Sequence, residues 1–138
     1  MTPGSPHHDH RHRVVYRDTD QMGVVYHGNY FVYMEIGRVE GLRARGLSYR
    51  EMEEAGFRIP VLHASCDFKR PLYYDDEVRV RSIVEEITRT RLTFRYELYC
   101  DARQELAATG MTKHAFFDRS NRIVRIPLEL LGRLTNEG

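Results

Sequence analysis

The chain has 138 residues, a length at which one domain is the default and roughly two thirds of the unfolded surface is buried on folding. Its 21 basic and 20 acidic residues leave a formal net charge of +1, so no global field argues for nucleic acid or an anionic membrane surface, and any anion site must be local. Cys66 and Cys100 fall in separate strand-like segments, which suits reduced thiols in a cytoplasmic setting, and no apolar run approaches the roughly 18 to 20 residues that span a bilayer.

Residues 1–12 combine Pro, Gly and polar residues without an apolar period, and are expected to form a disordered arm outside a single domain covering 13–138. His7, His8, His10 and His12 lie in this arm. Adventitious ion affinity is the expectation for them, because a closed metal site needs ligands held by a fold, and no metal is expected. Val14, Val15 and Tyr16 form a short β-branched and aromatic run that predicts a strand over 13–17. From Tyr30 to Arg45 the period changes: Tyr30, Tyr33, Met34, Gly37, Gly41 and Leu42 recur at three- and four-residue steps, predicting a helix with one buried stripe. Asn29 is its expected N-cap and Gly46 its C′ residue, and the small glycines would let a sheet approach closely. Ser48 and Glu51 are spaced as a capping box for a second, short helix closed by Gly56.

Four extended segments follow, over 57–68, 77–87, 91–100 and 105–117. In the third, Leu92, Phe94, Tyr96, Leu98 and Cys100 alternate with Thr93, Arg95, Glu97 and Tyr99, which predicts one packed face and one wetter face. The turns at 88–90 and 101–104 are short enough for antiparallel hairpins. Pro127 opens a last short helix through Leu128, Leu130 and Leu131. The class is therefore α+β: an antiparallel sheet, apolar on one face, that has only the 30–45 helix available to cover it.

The polar groups concentrate between the first strand and that helix, where Asp18, Asp20, Gly23 and His27 precede the helix start. A carboxylate there can face first-turn amides that have no partner within the helix, and Gly23 permits the tight turn. On spacing alone, Asp18 and Asp20 read first as turn-forming or capping carboxylates, and His27 equally as a packed residue at the helix start.

The whole run Asp18, Asp20, Gly23, Val24, Val25, Tyr26, His27 and Tyr30 resembles the signature of acyl-CoA thioesterases related to 4-hydroxybenzoyl-CoA thioesterase and the bacterial YbgC type. The resemblance implies a hotdog fold, a curved antiparallel sheet wrapped around one long helix, and hydrolysis of acyl-CoA to free acid and CoA without a further cofactor. It makes Asp20 the catalytic carboxylate, as general base or as nucleophile, and Asp18 a support for the loop. It also makes the His27 amide the oxyanion donor and the His27 ring a catalytic or polarising group. Glu35, within a Tyr-Met-Glu-Ile run that the family also shows, is a third catalytic candidate, with a surface ion pair to Arg38 or another basic neighbour as its other reading.

Gly23 and Tyr26 are candidates to contact substrate. Coenzyme A carries phosphates, for which Arg89 and Arg91 resemble the family's basic turn, and Lys69 and Arg70 are further candidates, as is Lys113. Tyr49, Phe57 and Tyr74 are aromatics for the acyl pocket or the core. By the same resemblance, sites form between subunits of a homotetramer, a dimer of dimers. Competing readings are a non-catalytic acyl-CoA-binding scaffold and a hotdog hydratase or dehydratase acting on an enoyl-CoA. Arginine-rich hairpins alone make no RNA-reading motif.

Overall fold

A computed structural model of the chain describes residues 6–135. In chain order the elements are β1 (His7–Arg13), α1 (Asn29–Ala44), α2 (Tyr49–Glu54), β2 (Val61–Phe68), β3 (Glu77–Ile87), β4 (Arg91–Cys100), β5 (Glu105–Ala115) and α3 (Leu128–Thr135). The strands make one antiparallel sheet in the order β1-β3-β4-β5-β2, leaving β1 and β2 as its edges.

β1 corrects the expectation of a disordered arm over 1–12. It pairs with β3 from His7 opposite Ile83 to Arg13 opposite Glu77. Its residues look solvated in sequence because charges and rings, not aliphatic groups, anchor them. Asp9 accepts from Arg81 Nε at 2.8 Å, and Arg11 Nη1 donates to Glu77 at 3.0 Å. On the inner side, the His12 ring stands 5.0 Å from Tyr33 on α1. Residues 1–5 of the expected arm lie outside the described residues. The Val14 to Tyr16 run is not the strand expected there: Val14 is buried just past β1, and a 3-10 turn occupies Tyr16–Asp18.

α1 follows its sequence period, burying Tyr30, Tyr33, Met34, Gly37, Arg38, Gly41 and Leu42 against the sheet. Its two interior glycines explain the close approach. A Cβ on Gly37 would lie 2.5 Å from Val80 Cγ1, and one on Gly41 would lie 2.9 Å from Ser82 Oγ. Gly46, with φ of +78°, ends the helix, and the Ser48 hydroxyl accepts the Glu51 N–H at 3.0 Å to start α2. On β4 the expected face is buried, and Thr93 on the opposite face is also nearly covered.

The core carries a polar chain. Arg38, 3% exposed, donates to Tyr49 Oη at 2.8 Å and to Tyr96 Oη at 3.0 Å. Tyr96 Oη lies 2.6 Å from Thr112 Oγ1, which lies 2.8 Å from His114 Nε2, and His114 Nδ1 is 3.0 Å from the Ile59 carbonyl. Burial, with the Arg38 charge nearby, pushes the His114 ring down to about 4, so it is neutral inside the fold. Arg38 is thus a buried core residue and makes no ion pair with Glu35, which is exposed.

Candidate active site

The chemistry-bearing residues sit on a hairpin stitched between α1 and the sheet. Thr19 and Val25 face each other as its rungs, the Asp20 N–H donates to the Val24 carbonyl at 2.9 Å, and the Gly23 N–H donates to the Asp20 carbonyl at 3.0 Å. Gly23 closes the turn at φ of +82° with open space around it, so its requirement is conformational and not steric. The Val25 N–H donates to the Leu72 carbonyl at 2.8 Å, tying the hairpin to the segment that leads into β3.

The Asp20 side chain is exposed, and its Oδ1 accepts the Met22 N–H at 2.9 Å. That bond fixes the carboxylate's orientation and leaves Oδ2 without a donor among the described residues. Asp18 differs. Its Oδ2 accepts from Tyr33 Oη at 2.8 Å, and its carbonyl accepts from the Tyr26 N–H at 2.8 Å and from Asn29 Nδ2 at 2.9 Å. One aspartate is engaged in holding the loop, while the other faces solvent.

Gly28, not Asn29, is the N-cap of α1, and no side chain caps this end. The first-turn bonds run to the Tyr26, His27 and Gly28 carbonyls, so the N–H groups of His27 and Gly28 take no acceptor among the described residues. A Cβ at Gly28 would meet the half-exposed Tyr26 ring, with Cε2 at 2.8 Å, and would displace that ring from the helix start. The His27 ring is exposed, tilted against Tyr26 at 4.3 Å between centroids, with Phe68 edge-on at 6.2 Å.

Asp20 and His27 line one cleft of about 360 Å³, together with Val24, Val25 and Tyr30 on one side and Phe68, Lys69, Arg70 and Pro71 on the other. Lys69 and Arg70 are anchored by their N–H groups, which both donate to the Ala107 carbonyl at 2.8 and 3.0 Å, while the side chains remain exposed. The cleft therefore combines an exposed carboxylate, a helix start and two cations. A carboxylate of this kind can activate water or attack a carbonyl directly, and helix amides can hold the resulting oxyanion.

Other predicted residues stand elsewhere. Glu35 is exposed on α1 and does not line the cleft. Arg89 and Arg91 flank the β3–β4 turn, at the sheet end opposite the one where Val25 meets Leu72, and Lys113 lies toward that same far end, opposite His63. Tyr49 and Phe57 line a separate cavity of about 200 Å³ between α2 and the start of β2. Tyr74 packs edge-on against Tyr16 at 5.6 Å, both exposed. The sequence reading missed Phe68 as a cleft wall, and Tyr33 and Asn29 as holders of Asp18. Position 68 ends a strand just before the Lys69–Arg70 pair, and 29 and 33 are one helical turn apart, which are the signals that were there to find.

The family profile described as the Thioesterase-like superfamily matches residues 14–134. A solved structure of a hypothetical protein from Aquifex aeolicus is similar over 92% of this chain and 98% of that one, at 38% identity and a TM-score of 0.88. A DHNA-CoA thioesterase from Staphylococcus aureus covers 86% of this chain, with 80% of its own length matched, at 32% identity and a TM-score of 0.82. The acyl-CoA thioesterase YbgC of Helicobacter pylori is 36% identical over 90 residues, 65% of each chain.

Proposed function

The chain belongs to the thioesterase-like superfamily, with the hotdog arrangement of sheet and helix, and on that premise we propose that Asp20 carries out the chemistry at the α1 start. The protein is an acyl-CoA thioesterase: water cleaves the C–S bond of the acyl thioester, giving the free acid and the CoA thiol. In one route the Asp20 carboxylate takes a proton from water as it attacks the carbonyl. In the other the carboxylate attacks, the thiolate leaves, and water opens the mixed anhydride. In both, the charge on the former carbonyl oxygen meets the free amides at 27 and 28, and the role assigned to the His27 ring is to protonate the departing sulfur.

Lys69 and Arg70, which line the same cleft, are the cations assigned to the CoA phosphates. Gly23 shapes the turn that carries Asp20, and Tyr26 packs on the His27 ring. Arg89 and Arg91 join the site through a second copy of the chain. Two β2 edges joined antiparallel bring the Phe68 end of one against the Val61 end of the other, and the Val61 end leads through Lys113 and Ala115 toward Arg91. Every residue of β2 but Cys66 is exposed, with Val61, Leu62 and Phe68 about half uncovered, which supports that joint. Glu35, on the exposed side of α1, would serve as a second carboxylate from the same joint. A homotetramer built from such pairs and residence in the cytoplasm, where Cys66 and Cys100 stay as free thiols, complete the reading.

The observation that carries the proposal is that Asp20 and His27 line the same cleft. Thiol release should be followed over a panel of aliphatic and aryl acyl-CoAs. Asp20→Asn should abolish release while leaving the unfolding curve in place, and full activity in that variant would sink the assignment. Release of free thiol also separates hydrolysis from a scaffold that only binds acyl-CoA and from a hydratase that adds water to an enoyl group.

A further inference from the structure

Asp20 rides on the hairpin, and the residue at the hairpin's foot, Asp18, is gripped by α1. Two of the three donors that it accepts from are side chains of that helix: Asn29 Nδ2 on the carbonyl at 2.9 Å and Tyr33 Oη on Oδ2 at 2.8 Å. They are four residues apart, so both donors come from one face of the helix whose start supplies the free amides. Asn29 makes no cap bond to the helix, and its amide donates to the loop instead. Tyr33 is 1% exposed, and burial with the Asp18 carboxylate alongside drives its phenol far above the ordinary range, so it stays a donor at any working pH. Its ring is seated between Tyr30 and His12 of β1, at 6.4 and 5.0 Å.

We propose that Asn29 and Tyr33 are positioning residues for the hydrolysis: acting through Asp18, they set where the Asp20 carboxylate stands relative to the first-turn amides of α1. The inference rests on Asp20 being the chemical residue. Neither Asn29 nor Tyr33 contacts the substrate in this account. The carboxylate and the oxyanion donors belong to different segments, and an error near 1 Å in their spacing costs on the order of 100-fold in rate. Beside the Asp20–Val24 backbone bond of the hairpin, Asp18 is where side chains of α1 hold the two segments together.

Tyr33→Phe keeps the buried ring and removes only the donor. Its kcat, counted per folded enzyme, should fall about 10- to 100-fold with KM within about twofold. Asn29→Ala should do the same by releasing the carbonyl, and serves if the Tyr33 variant folds poorly. In an Asp18→Ala background, Tyr33→Phe should cost less than about twofold, because its target is gone. A residue that merely stabilises the fold would lower the unfolding midpoint and leave kcat per folded molecule unchanged, and that outcome overturns the proposal. So do losses that multiply independently in the Asp18→Ala background. Asp20→Asn is run alongside: if it is inactive while Tyr33→Phe keeps full kcat, the positioning role fails alone. If Asp20→Asn is fully active, the reading of the site itself fails.

Discussion

Gly37→Ala sets two effects of opposite sign against each other on α1. In an exposed helix interior the change would stabilise by about 1 kcal/mol, since alanine loses less backbone freedom on folding. Here the new methyl would lie 2.5 Å from Val80 Cγ1 and 3.2 Å from Val80 Cβ. Val80 is fully buried, and a β-branched side chain has little rotamer freedom with which to move aside. Overpacking of this kind costs about 1 to 3 kcal/mol, and the stiffness of the neighbour places it at the upper end. The net expectation is a destabilisation of about 2 kcal/mol, or roughly 6 °C in Tm. Urea unfolding at one fixed protein concentration measures it. Val80→Ala removes Cγ1, the atom at 2.5 Å, and leaves only the milder Cβ approach at 3.2 Å, so in that background Gly37→Ala should range from near neutral to stabilising by up to about 1 kcal/mol. A neutral or stabilising Gly37→Ala in the wild-type background, or an equal cost in both, would refute the argument that this glycine is there for the sheet.

Two further expectations concern the core and the open edge. The His114 ring, neutral in the fold with a value of about 4 against an ordinary 6.5, contributes roughly 3 kcal/mol that is fully present above pH 6.5 and lost as pH falls toward 4. Unfolding free energies between pH 7 and pH 4 should therefore slope less in His114→Gln than in the wild type, and parallel slopes would contradict the neutral ring. Leu62→Lys, which puts a charge on the exposed β2 edge, should lower the mass seen by light scattering and reduce thiol release with it. An unchanged mass would remove β2 as the joint between copies.

Much of the architecture was legible because its signals are local. The bounds of β3 and β4 follow from alternation and turn residues, those of α1 from the spacing of Tyr30, Tyr33, Met34 and Leu42, and the start of α2 from the Ser48–Glu51 pair. β1 was illegible because its stabilising partners are distant in sequence: Arg79, Arg81 and Glu77 for the outer charges, Tyr33 for His12. A strand whose inner face is histidine gives no apolar period to read. At the site, the Asp20 turn and the α1 start were readable from Gly23 and the following helix. Asn29 was misread, because its type and place fit an N-cap while the Asp18 carbonyl, eleven residues back, claims its amide. The grouping of Lys69 and Arg70 with Asp20, and the separation of Arg89 and Arg91 from it, depend on which ends of which strands are neighbours, and that is fixed only by the strand order.

The two margins of the sheet are not alike. β1 presents Asp9, Arg11 and Arg13 along its length, all three paired to β3 or its approach, whereas β2 offers a half-apolar margin on which Asp67 is the one carboxylate. A copy that docks two β2 margins about a two-fold axis consumes both half-apolar ones and leaves a charged margin at either extremity. Growth by strand addition then terminates at a pair and does not propagate into a ribbon. The polar strand that hid in the sequence would then be what keeps the proposed assembly finite.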